Sequence, residues 1–219
     1  MSKFTKCRAN IKIVVVGNSG TGKTSFCKRW ISDKFDNSYQ ATVMSDFSYK
    51  VCEFEGNFYK VQFWDIAGAD KNIYTSKVFT KDSHGCLIVA DITNPDTLNK
   101  TLLWKKSIDE NTRFLDNQML PCILIVNKID LIDDDFIQND DEIKKFAEDN
   151  KFDNLFKTSA KLGIGIDESM DYLIKNILER IEKFKNDNEK NPIEKNRLSL
   201  VLEKNKISDE KININNDCC

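Results

Sequence analysis

Histidine occurs once in these 219 residues, and no apolar run approaches the roughly 20 residues that a membrane-spanning helix needs. The N-terminal MSKFTKCRANIKIVVVG lacks the layout of a secretory signal, so neither a span nor a leader is expected. Lys and Arg (33) nearly balance Asp and Glu (35), for a net charge of −2. With no basic footprint, no nucleic-acid partner is expected. The seven cysteines are odd in number and show no metal-ligand spacing. Cys27, Cys52, Cys86 and Cys122 sit in apolar surroundings and read as small core residues in a reducing compartment. The lone His84 reads as a packed strand-entry residue, not a catalyst. Internal repeats are not apparent.

What is present suffices for one core: 40% of the residues are apolar, which points to one domain with an appendage. Strand-like runs recur at 11–16, 47–54, 58–64, 86–92, 122–127 and 155–159. Most are continuous apolar runs, as in strands covered on both faces. The second and third alternate and are separated by EGN, the pattern of an antiparallel hairpin. Helical patterns at 23–32, part of 70–82, 96–110, 140–149 and 167–184 lie between the other runs. Alternation of this kind predicts an α/β fold: a mostly parallel six-stranded sheet with one antiparallel edge strand and helices on both faces. The expected organisation is a flexible N-terminus (1–9), a globular domain (10–184) and a disordered tail (185–219). The tail is rich in Asn, Lys and Glu and buries too little to offset its ordering entropy. Its one apolar island, LSLVL (198–202), reads either as tail noise or as a docking motif.

GNSGTGKT (17–24) matches G-x-x-x-x-G-K-[ST], directly after a buried-type strand and directly before a helix. Glycines let the backbone approach phosphates, so successive N–H groups face their oxygens and the helix dipole favours the charge. Gly17, Ser19, Gly20, Thr21, Gly22, Lys23, Thr24 and Ser25 form the expected cradle of a P-loop NTPase fold. Lys23 would reach the β- and γ-phosphates and Thr24 would offer its hydroxyl to Mg2+. NKID (127–130) and TSAK (158–161) each follow a strand, at the sheet edge where ligands bind in this architecture. A carboxylate accepts two donors together from the guanine edge, which adenine does not present, so Asp130 is expected to set base choice.

With ATVMSDF, WDIAGAD, HGCLIVADIT and the terminal Cys218-Cys219, these motifs make the chain resemble the Rab family of Ras-like small GTPases over about residues 10–182. WDIAG and GIDESMDYLIKNIL are most similar to the Rab branch serving lysosome-related organelles. The resemblance implies a GTP/GDP switch with Mg2+, recruiting effectors in vesicle trafficking. Thr42 would be the first-switch threonine on the metal, Asp65 would hold the metal through water, and the Gly68 N–H would report the γ-phosphate. Phe35 would lie on the guanine ring, although it also reads as core. Asn127, Lys128 and Asp130 with Ser159, Ala160 and Lys161 would complete the base pocket. Phe47, Trp64 and Phe79 fall where Rabs keep three aromatics of the effector surface; Phe79 reads equally as a buried helix-face residue.

The chain departs from the pattern of the family it resembles at Ala69, where the usual glutamine orients the attacking water. A methyl group cannot do so, and Asp70 is out of register for the task. The expectation is a switch that closes on GTP but hydrolyses it slowly unaided. Met44 and Ser45 replace the usual Gly and Val, so effector specificity is not expected to transfer. Cys218 and Cys219 are expected to carry geranylgeranyl groups. Residues 185–217 hold seven basic and seven acidic side chains, so no polybasic patch assists and both lipids are needed. The implied partners are an exchange factor, a GTPase-activating protein, effectors, and prenylation-escort and GDP-dissociation-inhibitor proteins. The implied setting is a monomer cycling between cytosol and the cytosolic face of an endosomal, lysosome-related or Golgi membrane. Two alternatives stand beside this: a GTP-binding scaffold with negligible turnover, and a Ras- or Rho-type signalling GTPase.

Overall fold

The structure, a computed structural model, describes residues 4–5, 7–38, 40–69, 77–132, 140–188 and 212–213. Six strands carry the fold: β1 (Ala9–Val16), β2 (Ser45–Phe54), β3 (Asn57–Ile66), β4 (Gly85–Asp91), β5 (Cys122–Asn127) and β6 (Asn154–Lys157). Their spatial order is β2-β3-β1-β4-β5-β6, with β2 antiparallel to β3 and every other pair parallel. The helices α1 (Lys23–Ser32), α2 (Lys77–Thr80), α3 (Pro95–Asn111), α4 (Asp140–Asp149) and α5 (Ile166–Asp187) pack around this sheet. α1 lies beside α5, and α2 beside α3.

The apolar runs explain the layering. Every residue of β4 and β5 is buried, whereas the positions of the edge strand β2 are half-buried or exposed. The β2–β3 hairpin turns on Glu55 and Gly56, both at positive φ, the geometry that matches the twist of paired strands. Cys27, Cys86 and Cys122 are buried, Cys52 is half-buried, and all four are free thiols. His84 brackets the start of β4: its N–H donates to the Lys12 carbonyl (2.8 Å) and its Nδ1 accepts the Lys12 N–H (3.0 Å). Burial, aided by the Lys12 charge, lowers its pKa to about 4, with Asp82 opposing.

Most boundaries lie within a residue or two of the sequence reading, and three features depart from it in ways that have a physical reason or add an element. β6 stops at Lys157 because Thr158 and Ser159 turn their hydroxyls to Asn127 and Asp130, and the Ser159 N–H pairs with Ile164. α5 runs to Asp187, held on the core by buried Ile181 and Phe184. Phe4–Thr5 pairs antiparallel with Ile212–Asn213, a two-residue ladder joining segments from which no strand was expected. Within 70–82 the helix seen is Lys77–Thr80; its expected earlier part, Asp70, the island 198–202, Cys218 and Cys219 lie outside the described residues.

Candidate functional site

β1 is central, with β3 on one side and β4 on the other, so the loop leaving its carboxyl end opens at the switch point of the sheet. Gly17 passes between strands at φ +136°, where a Cβ would stand 2.2 Å from the Val89 carbonyl oxygen. Gly22, at φ +92°, caps α1 without a side-chain bond, and α1 has no acidic residue in its first turn. α3 and α5 are capped or charged within the protein. Asn94 accepts the Asp96 N–H at the start of α3, and Asp167 and Glu168 sit in the first turn of α5. The positive end of α1 is therefore open to an anion from outside the chain. Lys23 is buried beside it, its Nζ donating to the Asn18 carbonyl (2.9 Å). Burial lowers its pKa and the Asp65 charge counters this.

Three oxygens from separate elements meet next to Lys23. The Thr24 and Thr42 hydroxyl oxygens are 3.0 Å apart, and the Thr24 hydroxyl donates to Asp65 Oδ2. Asp65 is 2% exposed, and its Oδ1 has no hydrogen-bond partner among the described residues. Burial raises its pKa, while the Thr24 hydroxyl and Lys23 hold it down. A buried carboxylate with an orphaned oxygen beside two hydroxyls is a set of hard donors short of positive charge, which fits Mg2+. Gly68 follows β3 and rests on the cradle: a Cβ there would lie 2.4 Å from both Asn18 C and Ser19 N. The Ala67 N–H donates to the Met44 carbonyl (2.9 Å), tying the segment after β3 to the one before β2. Ala69 is half-buried and lines the cleft.

The other end of the cleft is built on Asn127. Its Nδ2 donates to the Thr21 carbonyl (3.0 Å), and its Oδ1 accepts the Thr158 hydroxyl and the Ala160 N–H (both 3.1 Å). One buried amide thus joins the phosphate loop to the loop after β6. Lys128, at φ +69°, is paired with Asp91 at 2.6 Å. Asp130 Oδ1 accepts the Ser159 hydroxyl at 2.5 Å. The resulting cleft holds about 740 Å³, with Ser19, Gly20, Gly22, Lys23, Thr24 and Ser25 at one end. Phe35, Asn127, Lys128, Asp130, Ala160 and Lys161 stand at the other, and Thr42, Gly68 and Ala69 between. Of the residues expected here, Gly17, Thr21, Asp65 and Ser159 lie behind this lining, all buried. Ser159 holds Asp130 rather than facing the cleft, and Thr21 turns its hydroxyl onto the Asn18 carbonyl (3.0 Å).

Phe47, Trp64 and Phe79 come together outside the cleft, with ring centroids 5.4 Å (Phe47–Trp64) and 6.3 Å (Trp64–Phe79) apart. Phe47 is exposed, while Trp64 and Phe79 are half-buried and packed on the core. Val43 and Met44, which follow Thr42 in the chain, are 83% and 69% exposed.

Three residues that organise the site were not among the candidate site residues read from the sequence. Asn18 is an x in the phosphate-loop pattern, yet its carbonyl accepts from Lys23 and Thr21, and its Oδ1 accepts the Trp104 indole N–H of α3 at 3.3 Å. Asp91 holds Lys128 and also accepts from Thr93, and Thr158 orients Asn127. A polar residue ending a fully apolar strand, as Asp91 does, was the available signal for the second.

A sequence model of the Ras family matches residues 12–179. The chain is 33% identical over 193 residues to Ras-related protein Rab-32 of Mus musculus, covering 88% of this chain and 84% of that one. It is 38% identical over 170 residues to Ras-related protein Rab-32C of Dictyostelium discoideum (78% and 74% covered). To Ras-related protein Rab-7L1 of Homo sapiens it is 32% identical over 168 residues (76% and 82%).

Proposed function

Since the chain belongs to the Ras family of small GTPases, within its Rab group, we propose that it acts as a membrane-anchored switch whose GTP-loaded form recruits effectors in intracellular vesicle trafficking. The observation that carries this reading is the meeting of Thr24, Thr42 and Asp65 between a phosphate cradle and a base pocket. Thr42 belongs to the segment before β2 and Gly68 to the segment after β3. Both segments close on the position of a γ-phosphate and relax when it leaves. Thr24 and Thr42 would hold Mg2+ directly and Asp65 through water, relieving the orphaned Oδ1. When bound, the metal would supply positive charge against the phosphates. Lys23, already buried next to the cradle, adds the second positive charge.

Phe35 and Lys128 would take the two faces of the base and Asp130 its donor edge. Phe47, Trp64 and Phe79, with exposed Val43 and Met44, would form the effector surface adjoining the Thr42 segment. Lipids on Cys218 and Cys219 would anchor the tail, cycling the protein between cytosol and an endosomal, lysosome-related or Golgi membrane. An exchange factor, an activating protein and escort and dissociation-inhibitor proteins would serve that cycle. The test is partner capture with the protein loaded with a non-hydrolysable GTP analogue or with GDP. Effectors are expected on the first alone, and identical sets on both would end the switch reading.

Ala69 favours a second reading. It lines the cleft at the place expected of the water-orienting glutamine and presents only a methyl group. On that reading the protein holds GTP as a scaffold with negligible turnover. Multiple-turnover phosphate release with cell extract added separates the two: turnover supports the cycling switch and its absence the scaffold.

A further inference from the structure

We propose that Arg29 is a positioning residue for base selectivity, spanning the two jaws of the base pocket from the last turn of α1; this rests on reading the cleft as a guanine site. Its side chain is 16% exposed and its guanidinium reaches two separate segments. On one side Nε donates to the Ala160 carbonyl (2.8 Å) and Nη2 to the Lys161 carbonyl (2.7 Å). On the other, Nη1 donates to the Asp33 carbonyl and to Asp33 Oδ1, both at 2.8 Å. The ion pair itself contributes little, because the Asp33 side chain is 92% exposed. The fork onto two consecutive carbonyls is what a guanidinium does and an ammonium cannot.

Each jaw carries a residue that faces the base. Asp33 caps α1 in the left-handed conformation, two residues before Phe35. Ala160 and Lys161 adjoin Ser159, whose hydroxyl fixes Asp130 at 2.5 Å, and the Ala160 N–H is bound to Asn127 at 3.1 Å. Movement of the 160–161 carbonyls therefore displaces the groups that orient Asp130. α1 also begins with Lys23 and Thr24, so Arg29 references the base loop to the same rigid helix that starts in the phosphate cradle. Loss of the fork should loosen recognition of the base edge more than retention of the phosphates.

The experiment uses the full chain and competition of GDP and IDP against a fluorescent GDP analogue. IDP lacks the exocyclic amine that Asp130 would read. Arg29→Met is expected to narrow the preference for GDP over IDP about tenfold, the scale of one hydrogen bond to a charged group. Arg29→Lys, which keeps the charge but not the fork, should fall between. A side chain that only stabilised the fold would weaken both nucleotides equally, and an unchanged ratio overturns the proposal. Should Arg29→Met fail to fold, Arg29→Lys decides: narrowing of about threefold or more supports positioning, and no change refutes it. A wild type that retains neither nucleotide overturns the guanine-site reading as well.

Discussion

Replacing Gly68 with alanine puts the switch to its sharpest test. The added methyl would stand 2.4 Å from Asn18 C and Ser19 N and 2.6 Å from the Asn18 carbonyl oxygen. Carbon contacts settle at about 3.5–4.0 Å, so roughly 1 Å of movement is required. The cradle is the stiffer partner, because Asn18 is bound through its carbonyl to Lys23 and Thr21 and through its side chain to Trp104. Gly68 must therefore move away from the loop. If its N–H contacts the γ-phosphate, that bond lengthens from about 2.9 Å by the same amount and is lost. A hydrogen bond to a charged group contributes about 1.5–3 kcal/mol, or roughly ten- to a hundredfold in affinity. Dissociation of a fluorescent non-hydrolysable GTP analogue from Gly68→Ala should accelerate by that factor, while GDP dissociation changes less than about twofold. Equal acceleration of both would mean that the cradle yields and Gly68 senses nothing.

Three further expectations concern other parts of the molecule. Ala69→Gln should raise single-turnover GTP hydrolysis above wild type; a wild type that is not slower shows that this position does not limit the reaction. His84 is the only histidine, and its pKa falls from the ordinary 6.5 to about 4 by burial. Between those values the unfolded chain binds the extra proton, so stability is full above pH 6.5, falls as pH drops, and has lost up to about 3 kcal/mol below 4. His84→Asn, whose Oδ1 can accept the Lys12 N–H, should remove this part of the slope in denaturant titrations across that range, and an unchanged slope assigns it elsewhere. If both terminal cysteines carry lipids as proposed, Cys218→Ser and Cys219→Ser should each shift the protein toward the soluble fraction, since one chain binds only marginally; unaltered partition in both refutes the two-lipid anchor.

The elements were legible because burial leaves a direct trace in sequence. β4 and β5 are apolar at nearly every position since both faces are covered, whereas the edge strand β2, none of whose residues is fully buried, carries polar side chains between its apolar ones. α1 and α4 begin and end at the residues expected. The chemistry-bearing letters were legible too: Lys23, Thr24, Asp65, Asn127 and Asp130 do meet around one cleft. What sequence could not convey is second-order support. Asn18 and Arg29 act through a backbone carbonyl and onto backbone carbonyls, and no residue-type pattern records a carbonyl's place in space. Ser159 was placed on the base for its motif, whereas its hydroxyl is spent on Asp130. β6 ended early for the same reason, polar side chains drawing the backbone off the sheet edge.

Why a switch should keep Asp65 and Gly68 while carrying Ala69 follows from what each can influence. The amplitude of a two-state change is set by the difference in binding free energy of the ligand for the two states. On the proposed reading, that difference comes from contacts to the γ-phosphate and metal: the Thr42 hydroxyl, the Asp65 carboxylate, the Gly68 N–H and buried Lys23. A water-orienting side chain contributes to none of them, because it acts on the barrier to hydrolysis. On that reading, alanine in place of the glutamine leaves the GTP-bound protein as fully closed as before and lengthens only the lifetime of that state. The same separation fixes where compensation must come from. On this reading, a partner that completes hydrolysis has to bring its own water-orienting group to the cleft beside Ala69, whose methyl cannot orient water.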